Sequence, residues 1–550
     1  MSRHRKNIVC NRILKMLFIS SILFFILILR LYYIQISQHS ELKAQVLKQR
    51  GEEISLYPDR GIIYDRNLIP LTNREIIPTA FVYKDNLLED KELMNFIIEN
   101  SEFDEKQLKE YIKDKNSIVA IPLNWEIESP DRSKMFIANR IVRYGKNNIL
   151  THVIGYINKA ENRGEAGIEK VYDEILKDGE KHFLYLEVDR GKNKTLNGEY
   201  MVSQDKNIMD PKAVKLTVDY HIQKIVEEVL DEKGIQGAVI VAHVESGEIR
   251  AMASRPNFSQ YEIDEYLKRE DMALYNKAIQ VANPPGSLFK TVVLLAALEK
   301  DTSYLNKTFY CNGYEQINNV TIKCNEGRGH GYIGLKDAFS KSCNSTFIQL
   351  GQEIGSESII HMAERLGMGE RINIGLVEEV KGNLPKGKEL KGPAIGNISI
   401  GQGSIEITPL QITNMMLIIA NKGIRKDMTI VDGITTKDGY MIKEFKRNDD
   451  ERIISQDIAE IVQDFMIEVV LEGTAKNMDL DFVGGAGGKT GSAQAVFKGK
   501  ETIHGWFSGF YPAKNPNYVI TVFVEGGFSG SGAAVPIFED IAKRIHQINR

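Results

Sequence analysis

A serine hydroxyl three residues ahead of a lysine, Ser287 and Lys290, stands where the chain breaks at Asn283-Pro284-Pro285-Gly286 and turns apolar from Val292 to Leu298. Two prolines and a glycine halt any preceding element, so the pattern predicts a buried helix beginning near Ser287. Residues three apart are neighbours on one helical face. A serine at its free pKa is a poor nucleophile and needs a base within hydrogen-bond reach. A lysine can be that base once burial and nearby positive charge lower its pKa from about 10.4. Free N–H groups at a helix start favour negative charge developing there. S-x-x-K also occurs at Ser40/Lys43 and Ser203/Lys206, where the surroundings read as solvated polar chain near an anchor or in a linker.

Two further segments carry polar groups of complementary type. Ser342-Cys343-Asn344 is the single S-x-N and follows Ser287 by 55 residues, after a helical stretch Leu335–Ser340. Its hydroxyl and carboxamide can both face a cleft from a loop, one relaying a proton and the other binding a substrate amide. In isolation the same pair reads as a helix cap. Lys489-Thr490-Gly491-Ser492 contains the single K-T-G, 202 residues after Ser287. Lys489 would supply fixed positive charge, while the hydroxyls of Thr490 and Ser492 would meet a carboxylate. Gly491 would let a substrate backbone lie close to the strand. The glycine run Gly484–Gly488 is one residue short of a phosphate loop, and Ser492–Phe497 reads as strand rather than helix, so that reading is rejected.

The four cysteines, Cys10, Cys311, Cys324 and Cys343, form no C-x-x-C pair, and no H-E-x-x-H occurs, so a zinc site finds little support. Cys311 and Cys324 could close a disulfide outside the cytoplasm or remain two thiols.

The elements that position these residues follow from hydropathy. Arg3, Arg5, Lys6, Arg12 and Lys15 precede an apolar run that extends to Ile36, long enough for a bilayer of about 30 Å. The basic leading side places the N-terminus in the cytoplasm and the rest outside. No small-residue cleavage site follows, so the run is read as an anchor rather than a signal peptide. The predicted organisation is a tail over 1–15, an anchor over 16–36, a mixed pedestal over 39–210 and a catalytic domain over 212–550. In the last, a helix over His221–Glu232, strands at Gly237–Ala242 and Ile249–Ala253, and a helix-rich middle over 288–370 and 408–475 are expected. A hairpin of Gly505–Tyr511 with Tyr518–Val524 and a terminal helix Pro536–Ile548 complete an α+β class, an antiparallel sheet flanked by helices. At 43% hydrophobic and 26% charged the chain is globular material, and a net charge of −4 argues against nucleic acid as a partner.

In order and spacing, S-x-x-K, S-x-N and K-T-G resemble the trio of β-lactamases and penicillin-binding proteins. Over nearly its whole length the chain resembles the class B penicillin-binding proteins, monofunctional D,D-transpeptidases of the cell wall. Arg60-Gly61-Ile62-Ile63-Tyr64-Asp65-Arg66-Asn67 is similar to the segment after the family's anchor, and Gly164-Glu165-Ala166-Gly167-Ile168-Glu169 to its pedestal motif. Gly401-Gln402-Gly403, Thr408-Pro409-Leu410-Gln411, Gly473-Thr474-Ala475 and Trp506-Phe507-Ser508-Gly509-Phe510 also match. Leu288 and Ser492 stand where the family commonly has threonine. The resemblance implies Ser287 as nucleophile, Lys290 as base, Ser342 as proton relay, Asn344 as a holder of the donor peptide, and Lys489 with Thr490, Gly491 and Ser492 on the binding strand. It implies an oxyanion hole from the N–H groups of Ser287 and Ser492, no metal or organic cofactor, peptidoglycan stem peptides as substrate and β-lactams as covalent inhibitors. A multi-spanning cell-wall glycosyltransferase is the implied partner. Hydrolysis, as in a D,D-carboxypeptidase or β-lactamase, and a β-lactam sensor are the alternatives.

Overall fold

The computed structural model describes residues 3–39, 42, 51–55, 60–113, 118–129, 134–145, 149–159, 161–177, 182–188, 195–204, 212–324, 327–497 and 500–548. Ser40, Lys43 and Lys206, from the two discarded S-x-x-K matches, lie outside them. The chain forms two compact units: 1–59, 75–143 and 180–208 make the first, while 60–74, 144–179 and 209–550 make the second. A single cut near residue 211 was the expectation. The interleaving arises because Ile63 and Tyr64 pair in parallel with Val214 and Lys215, and Val153, Ile154, Ile168 and Leu176 join the core of the second unit.

The first unit begins with α1 (Arg3–Tyr32), which runs straight through the expected tail. Within Ile8–Ser37 the mean hydropathy is 2.3 and the apolar side chains are exposed, so this is one helix long and apolar enough to cross a membrane. Elsewhere in the unit, Glu75–Tyr83 lies between Ile118–Pro122 and Met135–Val142 in an antiparallel sheet. Leu93, Ile97, Leu108 and Ile112 from the helices Lys91–Asn100 and Glu105–Lys113 pack on its Ala80, Val82, Val119 and Ile121. A second antiparallel sheet joins Gly51–Ser55, His182–Val188 and Thr195–Gln204.

Beyond Leu216 the second unit continues with α2 (Tyr220–Glu232), capped by the Asp219 carboxylate, and the hairpin β1 (Gly237–His243) and β2 (Ile249–Arg255). Then come α3 (Lys290–Lys300) and a small lobe of four short strands, β3 (Thr308–Cys311), β4 (Tyr314–Ile317), β5 (Val320–Lys323) and β6 (Gly331–Gly334). That lobe interrupts the helix-rich middle expected from sequence. Its runs are four residues each, too short for their alternation to stand out. Next are α4 (Leu335–Ser340), α5 (Asn344–Ile354), α6 (Pro409–Ala420) and α7 (Gln456–Leu471). Finally β7 (Gly487–Phe497), β8 (Lys500–Tyr511), β9 (Tyr518–Val524) and α8 (Val535–Ile548) close the unit.

The five long strands form one antiparallel sheet in the order β2-β1-β9-β8-β7, so early and late segments meet where β1 pairs with β9. Helix α6 is buried along its whole length against this sheet. Its Thr408-Pro409-Leu410-Gln411 start is a capping box: the Gln411 N–H donates to the Thr408 hydroxyl at 3.2 Å, and the Thr408 N–H donates to the Gln411 amide oxygen at 3.0 Å. The two motifs expected within the pedestal, at 60–67 and 164–169, also meet. Buried Arg60 donates from Nε to Glu169 at 2.9 Å and from another nitrogen to Asp173 at 2.8 Å, so the isolated charges compensate each other.

Candidate active site

Ser287 lies in a 3₁₀ turn, Gly286–Phe289, and the α-helix proper starts one turn later than expected, at Lys290. In 3₁₀ geometry residues i and i+3 eclipse, which aligns Ser287 with Lys290. Ser287 is half-buried, whereas Lys290 is buried in a core of Leu288, Phe289, Val293 and Phe347. The turn needs glycine at 286: its φ is +56°, and a Cβ there would sit 2.4 Å from the Ser492 carbonyl oxygen.

Lys290 reaches the second motif rather than Ser287. Its Nζ donates to the Ser342 carbonyl at 2.7 Å, the Ser342 hydroxyl at 3.2 Å and the Asn344 amide oxygen at 2.6 Å. Ser342 occupies the left-handed region at φ +55°, and Asn344 is the first residue of α5, behind the N-cap Cys343. The hydroxyl and carboxamide therefore project from a strained turn and a helix start, not from a loop. The Asn344 amide also donates to the Lys323 carbonyl at 3.0 Å. Burial pushes the Lys290 ammonium down to about 8, with the Cys343 and Cys324 sulfurs opposing the shift. A neutral amine is thus within reach near physiological pH.

β7 is the edge strand of the sheet and carries the third motif. Lys489 is buried, its Nζ 5.5 Å from the centre of the Phe339 ring and 3.3 Å from the Thr490 carbonyl. Burial first, and the neighbouring Lys290 second, hold it well below the usual lysine range. The fixed positive charge expected of Lys489 is therefore conditional on an anion arriving to compensate it. Gly491 also plays a different part from the one expected. A Cβ at 491 would meet the Pro285 carbonyl at 2.6 Å and Leu288 at 3.2 Å, so the close approach it permits is that of the Ser287 turn. The Ser492 carbonyl faces Gly286, and in an extended strand the N–H of that residue points to the same side, away from β8. The Ser492 hydroxyl accepts from the Gly530 N–H at 3.1 Å.

Three positions had no role in the sequence reading. The Thr474 and Thr490 hydroxyls are 2.7 Å apart, and the Thr474 N–H donates to the Ser340 carbonyl at 3.1 Å, so one residue joins the K-T-G strand to the end of α4. Gly401, at φ +69°, accepts from the Gly286 N–H at 3.0 Å, and a Cβ there would sit 2.2 Å from the Gly286 oxygen. Both belong to segments visible as motifs, yet their partners are remote in sequence. The third position is Cys343. All described cysteines are free thiols, so the Cys311–Cys324 disulfide is not formed. Instead Cys324 lies 3.7 Å from Cys343, and Cys311, Cys324, His330 and Cys343 place their donor atoms within 4.8 Å of one another. The spacing argument against a metal site does not hold here, because four segments converge on a donor set able to hold a metal.

The Penicillin binding protein transpeptidase domain model matches residues 237–543, more than half of the chain. Stage V sporulation protein D of Bacillus subtilis is 29% identical over 97% of this chain and 85% of its own length. Peptidoglycan D,D-transpeptidase MrdA of Escherichia coli K12 is 25% identical over 93% of this chain and 90% of its own. A solved chain described under "Structural coordination of polymerization and crosslinking by a peptidoglycan synthase complex" superposes with a TM-score of 0.68 at 22% identity, covering 98% of each chain. With its S-x-x-K turn, S-x-N turn and K-T-G edge strand brought together around buried Lys290 and Lys489, the chain belongs to the penicillin-binding protein transpeptidase family, as a class B penicillin-binding protein.

Proposed function

We propose that this chain is a membrane-anchored peptidoglycan D,D-transpeptidase that cross-links stem peptides through a Ser287 acyl-enzyme. The observation that carries the reading is the buried Lys290 amine held between Ser342 and Asn344 one turn beyond Ser287. Ser287 attacks the carbonyl between the terminal D-alanines, and Lys290 takes its proton. Ser342 passes a proton to the leaving D-alanine amine, while Asn344 holds the donor peptide. Lys489, Thr490 and Ser492 meet the terminal carboxylate, whose charge restores the Lys489 ammonium. The N–H groups of Ser287 and Ser492 bind the oxyanion, each contributing about 3–4 kcal/mol. An amine from a neighbouring strand then resolves the ester. β-Lactams enter as donor mimics and stop at the acyl-enzyme.

The basic residues ahead of the apolar run, Arg3 to Lys15, support a cytoplasmic N-terminus with the chain beyond Ile36 outside. A multi-spanning glycosyltransferase is the partner we assign. A structural neighbour from a complex coordinating polymerisation and crosslinking supports that assignment.

The test is fluorescent penicillin labelling of the full chain in detergent, with Ser287→Ala alongside, followed by product analysis on uncross-linked glycan. Persistent label lost in Ser287→Ala, together with peptide cross-links, is the expected result. Rapid penicillin turnover would make the chain a hydrolase, and label without any product would make it a sensor.

A further inference from the structure

We propose that Lys277, Glu525 and His504 form a buried brace that sets the Ser492 side of the oxyanion hole against Ser287, acting as positioning residues for acyl transfer. The proposal rests on the reading of Ser287 and Ser492 as the residues whose N–H groups bind the oxyanion. All three braced side chains belong to the second unit. The Lys277 and Glu525 side chains, 1% and 5% exposed, form an ion pair. Glu525 follows β9 and opens the connection 525–534 to α8. The N–H of the next residue, Gly526, donates to Nδ1 of buried His504 at 3.1 Å. Accepting at Nδ1 requires a neutral ring with its proton on Nε2. Burial first, and the Lys277 charge second, push the imidazole down to about 4, which keeps the ring in that form.

Each end of the brace leads to one half of the oxyanion hole. Lys277 precedes Ser287 by 10 residues, and the stretch between them is pinned. The Asn283 N–H donates to the Ile407 carbonyl at 3.1 Å, the Ile407 N–H returns to Asn283 at 2.9 Å, and the Leu410 N–H donates to Ala278 at 3.1 Å. From Glu525 the connection leads to Gly530, whose N–H donates to the Ser492 hydroxyl at 3.1 Å. Gly530 is seated so closely on the K-T-G strand that a Cβ there would lie 2.4 Å from the carbonyl oxygens of both Gly491 and Trp506. On the way Phe528 takes a φ of +58°, a strained conformation that persists only where the surroundings hold it.

A buried ion pair is a weak source of stability, because apolar residues of similar volume do as well once desolvation is counted. It does supply a unique partner for each charge, since either one left alone in the core is costly. The Lys277–Glu525 pair therefore fixes one register between the segment leading to Ser287 and the connection resting on Ser492. Oxyanion donors need such a register: they act at about 2.7–3.1 Å from the developing charge. A displacement of about 1 Å, even one caused far from the chemistry, costs roughly 100-fold in rate.

The test is penicillin acylation of the full chain in detergent, with stopped flow separating the non-covalent Kd from the acylation constant k2, and Tm measured alongside. His504→Leu should lower k2 by roughly 10–100-fold with Kd and Tm close to those of the parent chain. The paired variant Lys277→Met/Glu525→Met leaves no charge unpaired and should do the same. His504→Asn places an amide oxygen where Nδ1 accepts and should recover most of the rate. A peptide boronic acid, whose adduct with Ser287 puts a hydroxyl in the oxyanion hole, should lose affinity by the same factor as k2. Unchanged k2 in either His504→Leu or the paired variant would overturn the brace. So would an equal loss in His504→Asn, a loss carried by Kd or by the folded fraction, or undiminished boronate affinity while k2 falls. Failure of the underlying reading shows separately, as penicillin label retained by Ser287→Ala.

Discussion

The Lys290 ammonium nitrogen lies 2.6 Å from the amide oxygen of Asn344, in a site where burial pushes that ammonium down to about 8. The base must be neutral to accept the Ser287 proton. Below that value each pH unit removes about nine-tenths of the neutral amine, so acylation by penicillin should rise about tenfold per unit and level off above pH 8. Stopped-flow measurement of the second-order acylation constant checks this. A flat profile across that range would remove Lys290 as the base.

Asn344→Asp places a carboxylate where the amide oxygen now accepts from Lys290. An opposite charge at that distance stabilises the ammonium, so the midpoint of the same profile should move up by about 1–3 units. Asn344→Ala removes the acceptor without adding charge and should move the midpoint down. A shift of the same sign in both variants would contradict this account of the contact.

Thr474→Val removes the hydroxyl 2.7 Å from Thr490 while keeping the shape of the side chain. Thr490 then loses a partner that orients it towards an incoming carboxylate, a loss of about 1 kcal/mol or roughly fivefold in the acylation constant. Thr474→Ser should restore the rate. The Tm should change little in either variant, which separates positioning from folding.

Gly401→Ala forces a Cβ to within 2.2 Å of the Gly286 oxygen at φ +69°. The strain alone amounts to about 1–3 kcal/mol, and relief requires the Ser287 turn to move. Both a lower Tm and weaker penicillin labelling are expected, measured by differential scanning fluorimetry and gel fluorescence. Normal labelling at reduced Tm would show that the turn does not depend on this contact.

Much of this was legible because it is local. The Pro-Pro-Gly stop before an apolar run announced a helical start near Ser287, and the short runs rich in β-branched residues at Gly237–Ala242 and Tyr518–Val524 announced strands that do form. The Thr408–Gln411 capping box is complete within four residues. These signals hold because backbone geometry answers to nearest neighbours: proline removes a donor, glycine opens positive φ, and period selects helix or strand. The four-residue strands of the 308–334 lobe lie below the length at which a period can be read.

Residue types, order and spacing along the chain were enough to nominate Ser287, Lys290, Ser342, Asn344 and Lys489, since each motif carries its own chemistry. What they could not decide is which groups touch. Lys290 bonds to Ser342 and Asn344 rather than to Ser287, Gly491 accommodates Pro285 rather than a substrate, and Lys489 is held back from its charge by burial beside a second lysine. Cys324 likewise stands beside Cys343 and His330 rather than in a disulfide with Cys311. Contacts and burial of this kind arise when segments tens to hundreds of residues apart pack into one core, and no window along the chain contains both sides of them.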